Sequence, residues 1–276
     1  MNPHSPHLTS PRAIFVSLAT YHELVFKIAR MDVISRYRGS FLGLGWSFFN
    51  PLLLLSVYTF VFSFVFKARW GNGTDVGHGE FSLVLFVGLL VHSFLAEVLN
   101  RAPTIILNNT SYVKKVVFPL EVLPAAIILS STFHMMINII VLLVAFFALN
   151  GYLHLTIFLI PIVALPLALM LMGFAWFLAS IGVFVRDVSQ TIGIITTVIL
   201  FMSPVFYPIS AVPENFQWVM FLNPITFIIE QARAVLIFGY LPNWTGLLIY
   251  SVISFLCMWL GFVFFQKTRK GFSDVL

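Results

Sequence analysis

The chain has 276 residues, of which 60% are hydrophobic and only 9% are Asp, Glu, Lys or Arg, with a formal net charge of +5. A soluble domain carries about 25% charged residues, so water is excluded as the main solvent, and the charge is too small and too scattered for a nucleic-acid partner. The lone cysteine, Cys257, excludes a disulfide framework and a cysteine-ligated zinc site.

Residues 1–11 carry Pro3, Pro6 and Pro11 and read as a disordered tail. The first 40 residues lack the short apolar core and small-residue site of a cleavable leader. Residues 21–35 predict an amphipathic helix lying in the membrane interface. At about 100° per residue, Tyr21, Leu24, Val25, Ile28 and Met31 share one face, and Glu23, Lys27 and Arg30 share the opposite one. Then comes a seam, residues 36–51: Arg-Tyr-Arg-Gly-Ser-Phe-Leu-Gly-Leu-Gly-Trp-Ser-Phe-Phe-Asn-Pro. Here a charged segment turns into an apolar run that reaches Phe66. The arginines suit an anionic lipid head group, and the glycines are expected to let backbone pack closely at the bend.

A bilayer core needs about 20 mostly apolar helical residues. Six segments qualify, at 41–66, 81–100, 119–148, 155–185, 188–207 and 243–265. The predicted fold is an all-α membrane protein: a 1–40 tail with its interfacial helix, then a six-span membrane domain over 41–276. The fourth and fifth spans meet at the short hairpin Arg186-Asp187. Loop 101–118 holds a short apolar turn flanked by polar residues, either a small helix that docks a cytoplasmic partner or a plain connector. Segment 208–240 is too apolar for an external loop, yet Pro204, Pro208, Pro213 and Pro224 prevent a continuous span. Two short helices, 213–222 and 224–238, fit a re-entrant pair between the fifth and sixth spans, or a pair lying flat on the outer surface.

Twelve of the fifteen Lys and Arg residues lie in 1–40, 101–118, the Arg186 turn and the tail beyond the sixth span. The others are Lys67, Arg69 and Arg233. The positive-inside rule then puts both termini in the cytoplasm.

No G-x-x-x-x-G-K-[ST] phosphate loop is present, nor HExxH, GxSxG or a paired-cysteine pattern. Polar stripes run inside the spans instead: Phe49, Ser56, Thr59, Phe60 and Ser63 in the first, Ser130, His134 and Asn138 in the third, and Ser189, Gly193, Thr196 and Ser203 in the fifth. Such stripes either glue helices together or face a polar conduit. His134 reads as a packing hydrogen-bonder. Two charged pairs, Glu97 with Arg101 and Glu230 with Arg233, are functional candidates because ionisable groups are costly in lipid. They read equally well as self-neutralising pairs.

Arg36-Tyr-Arg-Gly-Ser-x-Leu-Gly-x-x-Trp46 followed by Asn50-Pro51 resembles the entry to the first span in ABC-2 family permeases, most closely the Wzm-type O-antigen and KpsM-type capsule exporters. Lys114-Lys115-x-x-Phe-Pro119 with Glu121-Val-Leu-Pro124, Arg186-Asp187-Val, Ser203-Pro-Val-Phe-Tyr-Pro208 and Leu222-Asn-Pro-Ile225 are similar to later landmarks of that family, in order. The resemblance implies a non-enzymatic permease in the bacterial inner membrane that works as a homodimer with two copies of a separate ATPase. ATP and Mg would then sit on the partner, with no cofactor in this chain. The implied cargo is a polysaccharide on an undecaprenyl-diphosphate carrier. Carried over to these residues, Arg36 and Arg38 would bind the lipid diphosphate. Thr104, Leu107, Asn108, Asn109 and Tyr112 would couple to the ATPase. Phe49, Ser56, Thr59, Phe60, Ser63, Ser189, Thr196, Ser203 and Tyr207 would line the channel. An ABC-2 exporter of a teichoic acid precursor, drug or lipid is the nearest alternative. A stand-alone membrane enzyme or ion-coupled carrier is a third.

Overall fold

Helix α1 (Pro11–Thr20) opens with proline at its first position and with Ser10 accepting from the Ala13 amide, so its exposed donors are capped. A computed structural model describes residues 9–65, 80–114 and 118–276, without the side chains of residues 63, 64, 80 and 114. The expectations for Pro3 and Pro6, for Lys67 and Arg69, for Lys115 and for the Ser63 side chain therefore lie outside the described parts. After α1 come α2 (His22–Tyr37), α3 (Trp46–Tyr58, continued by a π turn to Val65), α4 (Glu80–Arg101), α5 (Thr110–Lys114) and α6 (Val122–Asn150). They are followed by α7 (Ile160–Phe184), α8 (Val188–Phe201), α9 (Glu214–Leu222), α10 (Thr226–Leu236), α11 (Trp244–Thr268) and α12 (Phe272–Val275). No strand occurs among the described residues.

Five helical stretches are long and apolar enough to cross a bilayer: Gly43–Phe62, Phe81–Thr104, Val122–Asn150, Leu155–Phe184 and Trp244–Val275. The pair α9 and α10, bent by 90° at Asn223-Pro224, makes a sixth if counted as one broken span. The fifth apolar run, expected as a span over 188–207, is helical only over the 14 residues of α8. At 1.5 Å per residue that is ~21 Å, short of a hydrocarbon core of about 30 Å. The helix stops because Pro204 has no N–H to continue it and disfavours helical backbone at Ser203.

Helix α4 forms the centre of the bundle: 78% of its apolar window is buried, against 17% for the stretch containing α3. It packs on α6, α8 and α10, and its carboxyl end continues through a 3-10 turn, Ala102–Thr104, that crosses α7. Gly182 makes that crossing possible, since a Cβ there would sit 1.9 Å from the Pro103 carbonyl oxygen. The α7–α11 contact is equally close. A Cβ on Gly173 would lie 2.3 Å from the Cys257 oxygen, so the two helices meet backbone to backbone, as small residues allow in membranes.

At one end of the bundle the basic segments gather. Ile14 of α1, Ile106, Leu120, Trp176, Phe262 and Phe272 form one apolar cluster there. Glu121 ties it together, accepting from Ser17 Oγ at 3.1 Å and from Arg269 Nη1 at 2.8 Å, while the Trp176 indole donates to its carbonyl at 3.0 Å. Phe184, beside the Arg186 turn, packs against Phe272.

Candidate functional site

The seam between α2 and α3 is shaped by two left-handed glycines, Gly39 (φ 84°) and Gly43 (φ 53°). A Cβ at either would meet nothing within 4 Å. These glycines supply backbone freedom for the bend rather than the close packing expected of them.

Helix α2 lies along α6 with a small-residue face, distinct from the apolar face expected at the membrane interface. Ala29 and Val33 are buried, whereas Met31 is 68% exposed. Small side chains let α2 approach closely enough for Asp32 to accept from Arg101 Nη2 at 2.5 Å. One helical turn later, Arg36 Nη2 donates to Glu97 Oε1 at 2.6 Å. Arg101 Nη1 reaches both Glu97 Oε1 and Ser130 Oγ at 3.2 Å. His134 Nδ1 lies 3.0 Å from Glu97 Oε1 and 3.3 Å from Arg36 Nη1. One nitrogen cannot donate to the carboxylate and accept from the guanidinium together. The shorter, carboxylate contact sets Nδ1 as the donor. Glu97 and Arg101 thus form part of a six-residue network joining α2, α4 and α6, not a self-contained pair.

The two seam arginines differ. Arg36 is engaged by Glu97, while Arg38 is exposed and has no side-chain partner among the described residues. Lys27 and Arg30 are exposed on the same helix. Burial pushes the Tyr37 hydroxyl above its ordinary pKa, so between these arginines it stays protonated.

Behind Arg36 lies a cleft of about 210 Å³ between α3, α4 and α6. Its wall includes Asn50, Leu54 and Tyr58 of α3, Phe86, Leu90, Ser93 and Glu97 of α4, and His134 and Asn138 of α6. On each helix these residues recur at near-fourfold spacing, so each helix turns one face to the cleft.

The other candidates fall into two groups. On α3, Phe49, Ser56 and Phe60 are exposed on the outer side, and Thr59 bonds its own helix at the Leu55 oxygen. Ser189 of α8 is half-buried and donates to the Arg186 oxygen, while Thr196 of α8 and Ser203 just past it are buried within the subunit. The Thr196 carbonyl accepts from His92 Nε2 at 2.9 Å, and its hydroxyl faces Asn100. Ser203 Oγ donates to the Ile199 oxygen and accepts from Asn223 Nδ2, and Tyr207 donates to the Phe201 oxygen. These contacts close the frayed end of α8. Arg233 is 1% exposed and does similar work nearby, donating to the carbonyls of Val84 and Val205 and to Glu230. In the 101–114 stretch, Ile106 is buried and Asn108 and Ser111 face outward. Thr104, Leu107, Asn109 and Tyr112 are half-buried, and Tyr112 stacks on Phe118 with ring centroids 4.3 Å apart.

Sequence reasoning missed Asp32, Ser93 and Asn50 as members of the site. Their only local signal is a polar residue facing the same way as the next turn's polar residue, and that becomes visible only once α2, α3 and α4 are placed together.

Apolar helices of bilayer-crossing length, charged residues gathered at one end and a polar cleft reaching inward define a multi-span α-helical membrane protein built around α4. The chain belongs to the ABC-2 type transporter family, whose model matches residues 23–237. It is similar to the O-antigen export system permease protein RfbA of Myxococcus xanthus, at 26% identity over 93% of this chain and 96% of that protein. A permease of the same name from Klebsiella pneumoniae is 25% identical over 94% of this chain and 97% of its own length. The polysialic acid transport protein KpsM of Escherichia coli is 19% identical over 87% of this chain and 91% of its own.

Proposed function

We propose that this chain is the membrane permease subunit of an ATP-driven exporter, and that its cargo is a polysaccharide of the O-antigen or capsule kind carried on a lipid diphosphate. The observation that carries the reading is the polar cleft whose lining includes Arg36 and Tyr37, with the next residue, Arg38, exposed and without a side-chain partner among the described residues. Arginine offers phosphate oxygens two hydrogen bonds in a fixed plane, which suits a diphosphate head group. The near full-length similarity to polysaccharide-export permeases supports the same cargo.

The working unit in this reading is a homodimer with two copies of a cytoplasmic ABC ATPase, which holds ATP and Mg. The gathering of basic segments at one end supports an inner-membrane topology with both termini cytoplasmic. Exposed Phe26, Met31 and Ile34 beside Lys27 and Arg30 suit α2 to a membrane interface. The outward Asn108 and Ser111 lie on the stretch that would touch the ATPase. That stretch follows α4 through two 3-10 turns, and the last turns of α4 hold Glu97 and Arg101, so a push from the ATPase would pass along this connected backbone to the seam. The exposed face of α3, with Phe49, Ser56 and Phe60, would border a channel between the two copies.

A strain lacking the gene tests the cargo. Loss of surface polysaccharide with retention of its lipid-linked form inside the cell is the expected result. Normal surface polysaccharide with altered drug or lipid tolerance would move the assignment to another ABC-2 cargo.

A further inference from the structure

The cleft between α3, α4 and α6 holds polar groups that the subunit leaves unanswered. The carboxamides of Asn50 and Asn138 and the hydroxyl of Ser93 have no hydrogen-bond partner among the described residues. Asn50 and Ser93 are exposed and Asn138 is half-buried, so all three are open to a polar occupant of the cleft. Residues one turn apart on a helix rise ~6 Å, so Glu97 and His134 form one rung of polar groups, and Ser93 and Asn138 form a second. Two rungs at that separation match the width of one sugar ring.

The charges exclude an anion as occupant. Glu97 lies within the cleft wall, and the network of Arg36, Arg101, Glu97 and Asp32 carries two positive and two negative groups. A diphosphate placed in the cleft would face the Glu97 carboxylate. A neutral polyol meets what it needs: a carboxylate to accept from hydroxyls, carboxamides that both donate and accept, a serine hydroxyl, and the Tyr58 ring for a C–H face.

We propose that the cleft is a saccharide-binding site, and that it takes one pyranose next to the diphosphate while Arg38 holds the diphosphate at the mouth. This rests on the lipid-diphosphate reading above and adds that recognition of the sugar occurs inside each subunit. Asn50, Ser93 and Asn138 are then the residues that distinguish a glycosylated carrier from a bare one.

The test uses the permease–ATPase complex in nanodiscs. It compares binding of a short-chain polyprenyl diphosphate with that of the same lipid bearing one glucose, galactose or N-acetylglucosamine. At least one glycosylated lipid should bind about tenfold more tightly than the bare lipid, as one or two hydrogen bonds give. Asn138→Leu on α6, and separately Ser93→Leu on α4, should abolish that preference and leave the bare-lipid affinity unchanged. Leucine suits a membrane helix, and the two variants sit on different helices, so a folding defect in one does not remove the test. A preference kept in both variants overturns the proposal, and so does a wild-type complex that binds bare and glycosylated lipids equally. A wild-type complex that binds no lipid diphosphate overturns both this proposal and the functional reading beneath it, which separates the two failures.

Discussion

Arg36 and Glu97, 61 positions apart in the chain, meet at 2.6 Å and join the end of α2 to the last turns of α4. The same carboxylate also accepts from Arg101 and His134. One acidic side chain therefore holds the seam against two spans, and its partners are only partly shielded, with the Arg36 side chain 38% exposed and that of Glu97 18% exposed. A double-mutant cycle on Arg36→Ala and Glu97→Ala, read by thermal unfolding in detergent, should show a coupling of about 0.5–3 kcal/mol. Strict additivity would mean that the pair contributes nothing as a pair.

Asn223 sits at the apex of the α9–α10 bend, and its two amide hydrogens are shared among three acceptors: the carbonyls of Ile199 and Met202 at 3.3 and 3.2 Å, and Ser203 Oγ at 2.8 Å. These carbonyls belong to the broken end of α8, where the helix can no longer satisfy them. Asn223→Asp keeps the shape but replaces the donor with a charge facing three oxygens. It should destabilise the fold by about 1–3 kcal/mol, and at least as much as Asn223→Leu. An Asp variant as stable as wild type would show that the apex is held by packing alone.

The apolar runs made the long helices legible, because an uncharged stretch of membrane-crossing length has few alternatives. The fifth run was less so. Its hydrophobicity continues past Phe201, and only Pro204 records that the helix ends there. The bent pair was readable from Pro213 and Pro224, each of which sits at a helix start. The face of α2 that packs on α6 is separate from the apolar face read for the interface. Ala29 and Val33 are the residues that touch α6, since α2 packs closely and the larger Met31 points away. At the site, Arg36 and Arg38 stood out as charges at a membrane boundary, but their division of labour did not. The carboxylate that occupies Arg36 comes from a helix placed beside it only by folding.

Backbone contact between α7 and α11 gives a steric prediction. Gly173→Ala would put a methyl 2.3 Å from the Cys257 oxygen, and Gly261→Ala would put one 2.1 Å from the Gly173 oxygen. Either should lower stability by at least about 1–3 kcal/mol, because backbone must move. Gly193→Ala on α8 is the control, with its nearest neighbour 4.0 Å away. Unfolding midpoints of all three check the account. A harmless Gly173→Ala would contradict the packing described.

The central claim is that the seam grips a lipid diphosphate, and Arg38 tests it most directly because no side chain of the subunit depends on it among the described residues. The measurement is surface polysaccharide in cells whose only copy of the permease carries Arg38→Glu, with permease abundance and ATPase co-purification assayed alongside. The account predicts normal abundance and normal assembly, with surface polysaccharide lost and lipid-linked polysaccharide accumulating inside. Wild-type surface polysaccharide from the Arg38→Glu permease would contradict it and leave the seam as a membrane anchor.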